Sequence, residues 1–479
     1  MRRERPAADP SRIPPVRGLC YYPGPPFGGW IDHFRCAPRR MSSASEVPSP
    51  AAPVTPVTPV VRPLSLRQNF AWTLPANLAY AACQWGILVV LAKVGSPELV
   101  GLFVLAMALT APVFVCASLK LREIQATDQA GQFRFGDYLG MRLLSTTLAL
   151  GVVAGIGWGA GYRQSALLAV LLIGLAKAIE SISDVIYGLL QQHERMDRVA
   201  HSRAAHGLAT LAGVGFGVLA TGDVVGAAGG LALARLLVLI GCDLPLACWI
   251  LGSGQLSRLR PIFAIEPLRR MSLLGLPLAG TTLLTSLEIN IPHYFVATSL
   301  GVSDLGVFGA IAALITAGGI FTRATNQVAS PRLATMFHSG DVTGFRRLLG
   351  RMLAVYLVLG IAGVAMVPLL GQWLLTFLFR AEYAVHTDLL LVVMCAAAVA
   401  YQAGALTTAL IAIRVIHRQF PLRMFTAATS LAACAVLVPV YGIRGAALAL
   451  VVAKLPFVIA SLIIVFRETR SRITEVEVV

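Results

Sequence analysis

Apolar runs of about 20 residues, separated by short polar breaks, repeat along the chain from near Asn69 to near Phe466. A run of about 20 apolar residues is what an α-helix needs to cross the hydrocarbon core of a bilayer. The pattern predicts twelve spans, at 69–92, 99–119, 142–161, 165–190, 204–221, 224–250, 271–297, 305–329, 352–371, 388–412, 423–441 and 445–466. Their lengths suit helices with some tilt. The expected fold class is all-α, a polytopic membrane protein in which helices pack against lipid and one another.

The polar breaks alternate in charge. One set holds Lys120, Arg122, Arg134 and Arg142, then Arg195, Arg198 and Arg203, then Arg258, Arg260, Arg269 and Arg270. It continues through Arg332, Arg346, Arg347 and Arg351, then Arg414, Arg418 and Arg423, and ends with Arg467, Arg470 and Arg472. The other set is nearly bare, with Lys93, Arg163, Arg380 and Arg444. By the positive-inside rule the first set faces the cytoplasm, and both termini with it. That topology requires an even number of spans.

The halves repeat. Leu74-Pro75 opens the first span and Leu276-Pro277 the seventh. The first bare turn reads GSPELVGLF (Gly95–Phe103) and its counterpart GVSDLGVF (Gly301–Phe308). The basic loop after each next helix closes with FGDYLGMR (Phe135–Arg142) or FRRLLGR (Phe345–Arg351), at an offset of about 202 to 210 residues. Two six-span repeats of like orientation imply an axis along the membrane normal and a site between two lobes, as in alternating-access transporters. Chance similarity between Leu- and Gly-rich segments is the alternative. The expected organisation is a disordered, Pro-rich, basic tail at 1–64, a six-helix lobe at 65–251, a cytoplasmic linker at 252–270, a second lobe at 271–467 and a cytoplasmic tail at 468–479. Residues 1–40 read either as an upstream extension of a start at Met41 or as a genuine cytoplasmic tail.

Composition narrows the class. The chain has 479 residues, 57% hydrophobic and 13% charged, with a mean hydropathy of +0.75. A soluble domain carries roughly a quarter charged residues, so no large water-soluble domain fits. The net charge of +16 lies in short loops and reads as topology, with no nucleic-acid partner implied. Cys20 and Cys36 lie in the tail; Cys83, Cys116, Cys242, Cys248, Cys395 and Cys434 sit in or beside apolar runs, without metal-ligand spacing.

Ionisable groups inside a span cost several kcal/mol unless they face a cavity or a partner. On the fourth span Lys177, Glu180 and Asp184 fall within about a 60° arc of one face, continued by Tyr187 and Gln191. That face either lines a cavity, with a carboxylate sensitive to protons or cations, or holds an internal Lys177–Glu180 pair. Arg235, mid-way along the sixth span, either grips an anion in bidentate fashion or pairs with Asp243 or with the fourth span's surplus carboxylate. The seventh span carries Glu288, a candidate for a proton or Na⁺, with Asn290, Pro292 and His293. Lys454 lies near mid-membrane in the twelfth span. Arg323 and Asn326 near the inner end of the eighth add a polar cluster, unless Arg323 snorkels to the interface. Asn77 and Gln84 of the first span line a path or glue helices together. Lys177, Arg235 and Lys454, with Arg323, point to an anionic cargo; Glu180, Asp184 and Glu288 are the candidate ion-coupling groups, and Asn77, Gln84, Tyr187 and Asn326 the candidate cavity lining.

The stretch AIESISDVIYGLLQQHERMD (Ala178–Asp197), with LREIQATDQAGQFRFGDYLGMR (Leu121–Arg142), resembles the polysaccharide biosynthesis family of Wzx-type oligosaccharide flippases, within the multidrug/oligosaccharidyl-lipid/polysaccharide exporter superfamily. The resemblance extends over roughly residues 65–470. It implies a MATE-like fold of two six-helix lobes around a central cavity. It also implies movement of an undecaprenyl-diphosphate-linked saccharide across the bacterial cytoplasmic membrane, for capsule, exopolysaccharide or O-antigen, with membrane lipids, a polymerase and glycosyltransferases as partners. Coupling to H⁺ or Na⁺ follows by analogy; no cofactor is expected. Two alternatives remain. A drug or cation antiporter of the same superfamily would favour an acidic, aromatic cavity. A membrane glycosyltransferase or polysaccharide polymerase would need extramembrane loops larger than these. No catalytic motif is present.

Overall fold

The computed structural model describes residues 64–128, 131–162, 164–252, 259–415 and 418–477. The expected tail up to residue 63, with Cys20, Cys36 and Met41, lies outside the described residues, as do Arg163 and Arg258. Every regular element among the described residues is helical. The first half comprises α1 (Leu66–Val94), α2 (Pro97–Ala117), a short α3 (Leu121–Thr127), α4 (Phe135–Gly159), α5 (Gln164–Gln192), α6 (Met196–Thr221), α7 (Val224–Val238) and α8 (Leu244–Leu251). A π-helical turn, Leu239–Asp243, joins α7 to α8. The second half comprises α9 (Ile265–Ser299), α10 (Val302–His338), α11 (Val342–Leu378), a single turn α12 (Ala381–Ala384), α13 (Thr387–Ala412) and α14 (Gln419–Glu477).

Eleven of these helical stretches are long and apolar enough to cross a membrane, α7 and α8 counting as one. The last, α14, is two: Gly442 breaks it at φ +58° and ψ −137°, and a Cβ on Gly445 would stand 2.0 Å from the Leu437 carbonyl oxygen. Residues eight apart meet so closely only if the chain folds back, so α14 is a hairpin and supplies the eleventh and twelfth spans. Sequence sets the ends. Ser65 and Gln68 form a capping box on α1, and Ser96 caps Leu99 N–H at 3.2 Å with Pro97 at the first helical position of α2. The outward faces stay apolar, with Trp158, Leu219, Leu369 and Trp373 exposed, the arrangement lipid demands.

The spans form two lobes of six. In the first, α6 packs on α1 and α7, and α5 on α4 and α7; in the second, α9 packs on α14, and α13 on α10, α11 and α14. Glycine permits the closest approach: Gly217 and Gly213 of α6 face Gly226 and Gly230 of α7, where a Cβ would meet carbonyl oxygens at 2.0–2.5 Å. Between lobes, α2 crosses α10, and there the repeat becomes visible in space. A Cβ on Gly101 would lie 1.9 Å from the Val302 oxygen, and one on Gly306 would lie 1.8 Å from the Pro97 oxygen. Counted back from Phe103 and Phe308, Gly101 matches Gly306 and Pro97 matches Val302. Each half therefore gives the other the same contact, as across a two-fold axis.

Candidate functional site

Because α5 runs unbroken, the stripe at Lys177, Glu180, Asp184 and Tyr187 stays on one face, and that face walls a cavity of about 280 Å³. Tyr80 of α1, Arg142 of α4, Arg203 and His206 of α6, Arg235 of α7 and Thr282 of α9 complete the wall, so both lobes contribute. Lys177 and Glu180 line this cavity and are also paired with each other, at 3.1 Å.

Glu180 is shared. Besides Lys177 it meets Arg235 Nη1 at 2.9 Å and accepts the Tyr80 hydroxyl at 3.0 Å. Arg235, 2% exposed, therefore pairs with the fourth span's carboxylate and not with Asp243. Asp184 is likewise shared, by Arg122 at 3.4 Å and by the buried Arg142 at 3.1 Å. The Arg142 Nε is buried with no acceptor among the described residues. Each carboxylate thus sits between two cations, and each group keeps a surplus positive charge. Tyr187 hydrogen-bonds to Ser202 at 2.7 Å.

A second cavity of about 480 Å³ lies between α1 and α10, walled by Asn77, Gln84 and Arg203 from one lobe and by Thr316, Arg323 and Gln327 from the other. Asn77 accepts Arg203 Nη1 at 2.5 Å and Gln84 donates to Thr210 at 3.4 Å, so both line the space and hold helices together. Arg323 stays in the cavity, its Nε donating to the Gly319 carbonyl at 3.3 Å, with no ion pair among the described residues. Asn326 is not in either wall: it accepts the Tyr356 hydroxyl at 2.8 Å, and its neighbour Gln327 takes the wall position.

Lys454 does not join Lys177 and Arg235. It donates to Glu288, which also meets Arg423 Nη1 at 3.5 Å. Arg423 in turn donates to Thr407 at 3.2 Å and lies 4.2 Å from the Phe457 ring centroid. This cluster ties α9 to α13 and to both arms of α14, with Glu288 only 2% exposed, and none of its members walls either cavity. Lys454, a headgroup candidate, and Glu288, an ion-coupling candidate, thus pair with each other inside the second lobe, apart from the fourth-span residues.

Four arginines counted above as loop charges, Arg122, Arg142, Arg203 and Arg423, are turned inward to these sites. The signal was available. Arg142 and Arg423 open their predicted spans, at 142 and 423, and Arg203 abuts the one at 204. The helices begin earlier, at Phe135, Met196 and Gln419, which puts these guanidinium groups inside. The pairing of His206 with Asp243 was not foreseen either. Among the described residues no group of three or more His, Cys, Asp or Glu side chains could hold a metal ion.

Comparison with known proteins agrees with this architecture. The family described as polysaccharide biosynthesis protein matches residues 66–337. The capsular polysaccharide biosynthesis protein CapF of Staphylococcus aureus is 26% identical over 390 residues, which are 81% of this chain and 96% of that protein. An inward-facing multidrug resistance MATE family transporter of the MOP superfamily superposes with a TM-score of 0.65 at 16% identity, covering 84% of this chain and 96% of its own. An outward-facing MATE family structure gives 0.56 at 15% identity, covering 85% and 97%. A MOP superfamily transporter from Pyrococcus furiosus, described as having a binding pocket of reversed polarity, gives 0.58 at 15%, covering 85% and 96%.

Proposed function

We propose that this chain, which belongs to the polysaccharide biosynthesis protein family, is a flippase that carries a saccharide on a lipid diphosphate from the inner to the outer leaflet of the bacterial cytoplasmic membrane. The observation that carries this reading is the sign of the first cavity. Five basic side chains, Lys120, Arg142, Lys177, Arg203 and Arg235, stand in its wall against the two carboxylates of Glu180 and Asp184. A diphosphate answers such a wall with charge-assisted, bidentate hydrogen bonds. Lys177, Arg235, Arg142 and Arg203 take the headgroup in this reading, Arg323 meets it from the second lobe, and Glu180 and Asp184 hold the cations in place. A lateral gap between helices lets the prenyl tail remain in lipid while the headgroup passes.

The basic breaks put both termini in the cytoplasm. The glycine crossing of α2 and α10 then closes the outer side, and the cavities are reached from within. Alternating access requires that crossing to part. The saccharide is built by glycosyltransferases and consumed by a polymerase, which are the partners this role implies. A MATE-like antiporter for cationic drugs shares the fold, but five cations in the wall repel such a cargo. A membrane glycosyltransferase or polymerase would need catalytic groups where this wall offers cations and their paired carboxylates.

The test is reconstitution into liposomes with an undecaprenyl-diphosphate oligosaccharide, scoring its movement between leaflets with and without a proton or Na⁺ gradient. Wild-type protein moves it, and Arg235→Ala does not although it reaches the membrane folded. Full movement by Arg235→Ala removes that residue from the headgroup site; no movement by the wild type overturns the assignment.

A further inference from the structure

Four carboxylates lie inside the lobes near these sites, and they differ in partner. Glu180, Asp184 and Glu288 each touch two cationic groups of lysine or arginine. Asp243 touches none. It is fully buried, and among the described residues its one ion-pair partner is His206, whose Nε2 lies 2.9 Å from Oδ2. Ser202 donates to the other oxygen, Oδ1. Since that hydroxyl gives its proton to Asp243, the contact at 2.7 Å between Ser202 and Tyr187 is donated by Tyr187. Ser183 lies 3.5 Å from the same His206 nitrogen. His206, Ser183 and Tyr187 all stand in the wall of the first cavity, whereas Asp243 sits behind them on the π-helical turn. Such turns are rare and are frequently found at functional sites.

A buried carboxylate without a permanent cation is costly, and a proton taken up by the pair offsets that cost. We propose that His206 and Asp243 form a proton-binding site, filled from the first cavity, that takes part in the conformational cycle of the two lobes. Neutral His206 donates Nε2–H to Asp243, which leaves the Nδ1 lone pair without a protein partner among the described residues. A proton from cavity water adds to Nδ1, and the pair passes from a net charge of −1 to zero with no other bond changed. Histidine suits this exchange because its charge changes close to neutral pH.

The surrounding elements supply further titratable or charged neighbours. α5 supplies Tyr187 and, further off, Glu180 and Asp184; α1 supplies Tyr80 and Cys83; α7 supplies Arg235; the π turn supplies Cys242; α6 itself supplies Arg203. Arg203 is held by Asn77 and Arg235 by Glu180. Arg122, 5.5 Å from the Tyr187 ring centroid, is held by Asp184 and by Gln191, at 3.2 Å. Among the described residues no arginine or lysine forms an ion pair with Asp243.

This inference rests on the transporter reading for its place in a cycle, and its test needs no cargo. Histidine-labelled protein in lipid nanodiscs is titrated from pH 5 to 8.5 by NMR, with the His206 signal identified by its loss in His206→Gln. The His206 signal responds to pH in the wild type, and Asp243→Asn changes that response. In parallel, spin labels at Glu98→Cys and Ser303→Cys, in a cysteine-free background, report the separation across the α2–α10 crossing. The distance distribution changes with pH in the wild type and stays constant in His206→Gln. A His206 signal that does not titrate, a titration unchanged in Asp243→Asn, or a pH response retained by His206→Gln each overturns the proposal. Failure to move the lipid-linked saccharide bears on the flippase assignment and leaves these readouts intact.

Discussion

The two lobes use the same charge motif in opposite ways. In the first, Glu180 sits between Lys177 and Arg235 in a cavity wall, with about a third of its side chain exposed at 35%. In the second, Glu288 sits between Lys454 and Arg423, 2% exposed, with Phe457 beneath the guanidinium, outside the walls of both cavities described above. Both triads carry one surplus positive charge. Only the open one can offer that charge to an anion, because a sealed site has no room for a ligand and its charges serve to tie helices together. Position along the span does not separate the two cases, and neither does residue type; access to the cavity does.

The sealed triad should break most dramatically. Glu288→Gln keeps the shape but leaves Lys454 and Arg423 facing one another in a low-dielectric interior. Removing one partner of a buried pair costs about 3–5 kcal/mol, so the thermal unfolding midpoint in detergent should fall steeply and membrane levels with it. Adding Lys454→Met to that variant removes one of the two stranded cations and should recover part of the loss. An unchanged midpoint in Glu288→Gln means that the cluster is wetter than its burial implies.

A smaller effect tests the place where the lobes are alike. Gly101→Ala puts a methyl group where the Val302 oxygen lies 1.9 Å away, and Gly306→Ala does the same against Pro97 at 1.8 Å. Overpacking of this kind costs about 1–3 kcal/mol, here charged against the closed state. Both variants should shift spin-label distances across the crossing toward separation, and by similar amounts. A large response from one glycine and none from the other breaks the two-fold relation that the paired turns GSPELVGLF and GVSDLGVF suggest.

How much of this was legible in the sequence depends on whether a feature is local. Spans announce themselves through runs of apolar residues, and a proline or a Gly-rich turn marks their ends, so the helices and their pairing into repeats could be read residue by residue. The stripe from Lys177 to Tyr187 was legible for the same reason, since one helix fixes the spacing. Partners across helices were not. Lys454 and Glu288 lie far apart in sequence, and nothing in either span says that α9 and α14 bring them together. Arg142, Arg203 and Arg423 were hidden by a rule that is sound for loops: a basic residue at a span edge counts as a topology marker unless the helix starts a turn or two earlier. For Arg235 the sequence left open an anion, Asp243 or the fourth span's surplus carboxylate; the π turn directs Asp243 to Ser202 and His206 instead.

The finest test exchanges one lysine in each lobe. Lys177→Met and Lys454→Met both keep the aliphatic stem and both leave the carboxylate with its arginine, so each triad becomes neutral instead of losing its balance. The stability change should be on the order of 1 kcal/mol or less in both, and the two unfolding midpoints should nearly coincide. Transport should not. A charge-assisted hydrogen bond contributes about 1.5–3 kcal/mol, so loss of Lys177 should slow saccharide movement about tenfold or more, while Lys454→Met should move it at close to the wild-type rate. Equal slowing by both would mean that the second triad opens to the cargo during the cycle, and the distinction between an open and a sealed site would then describe one state of the protein and not its two lobes.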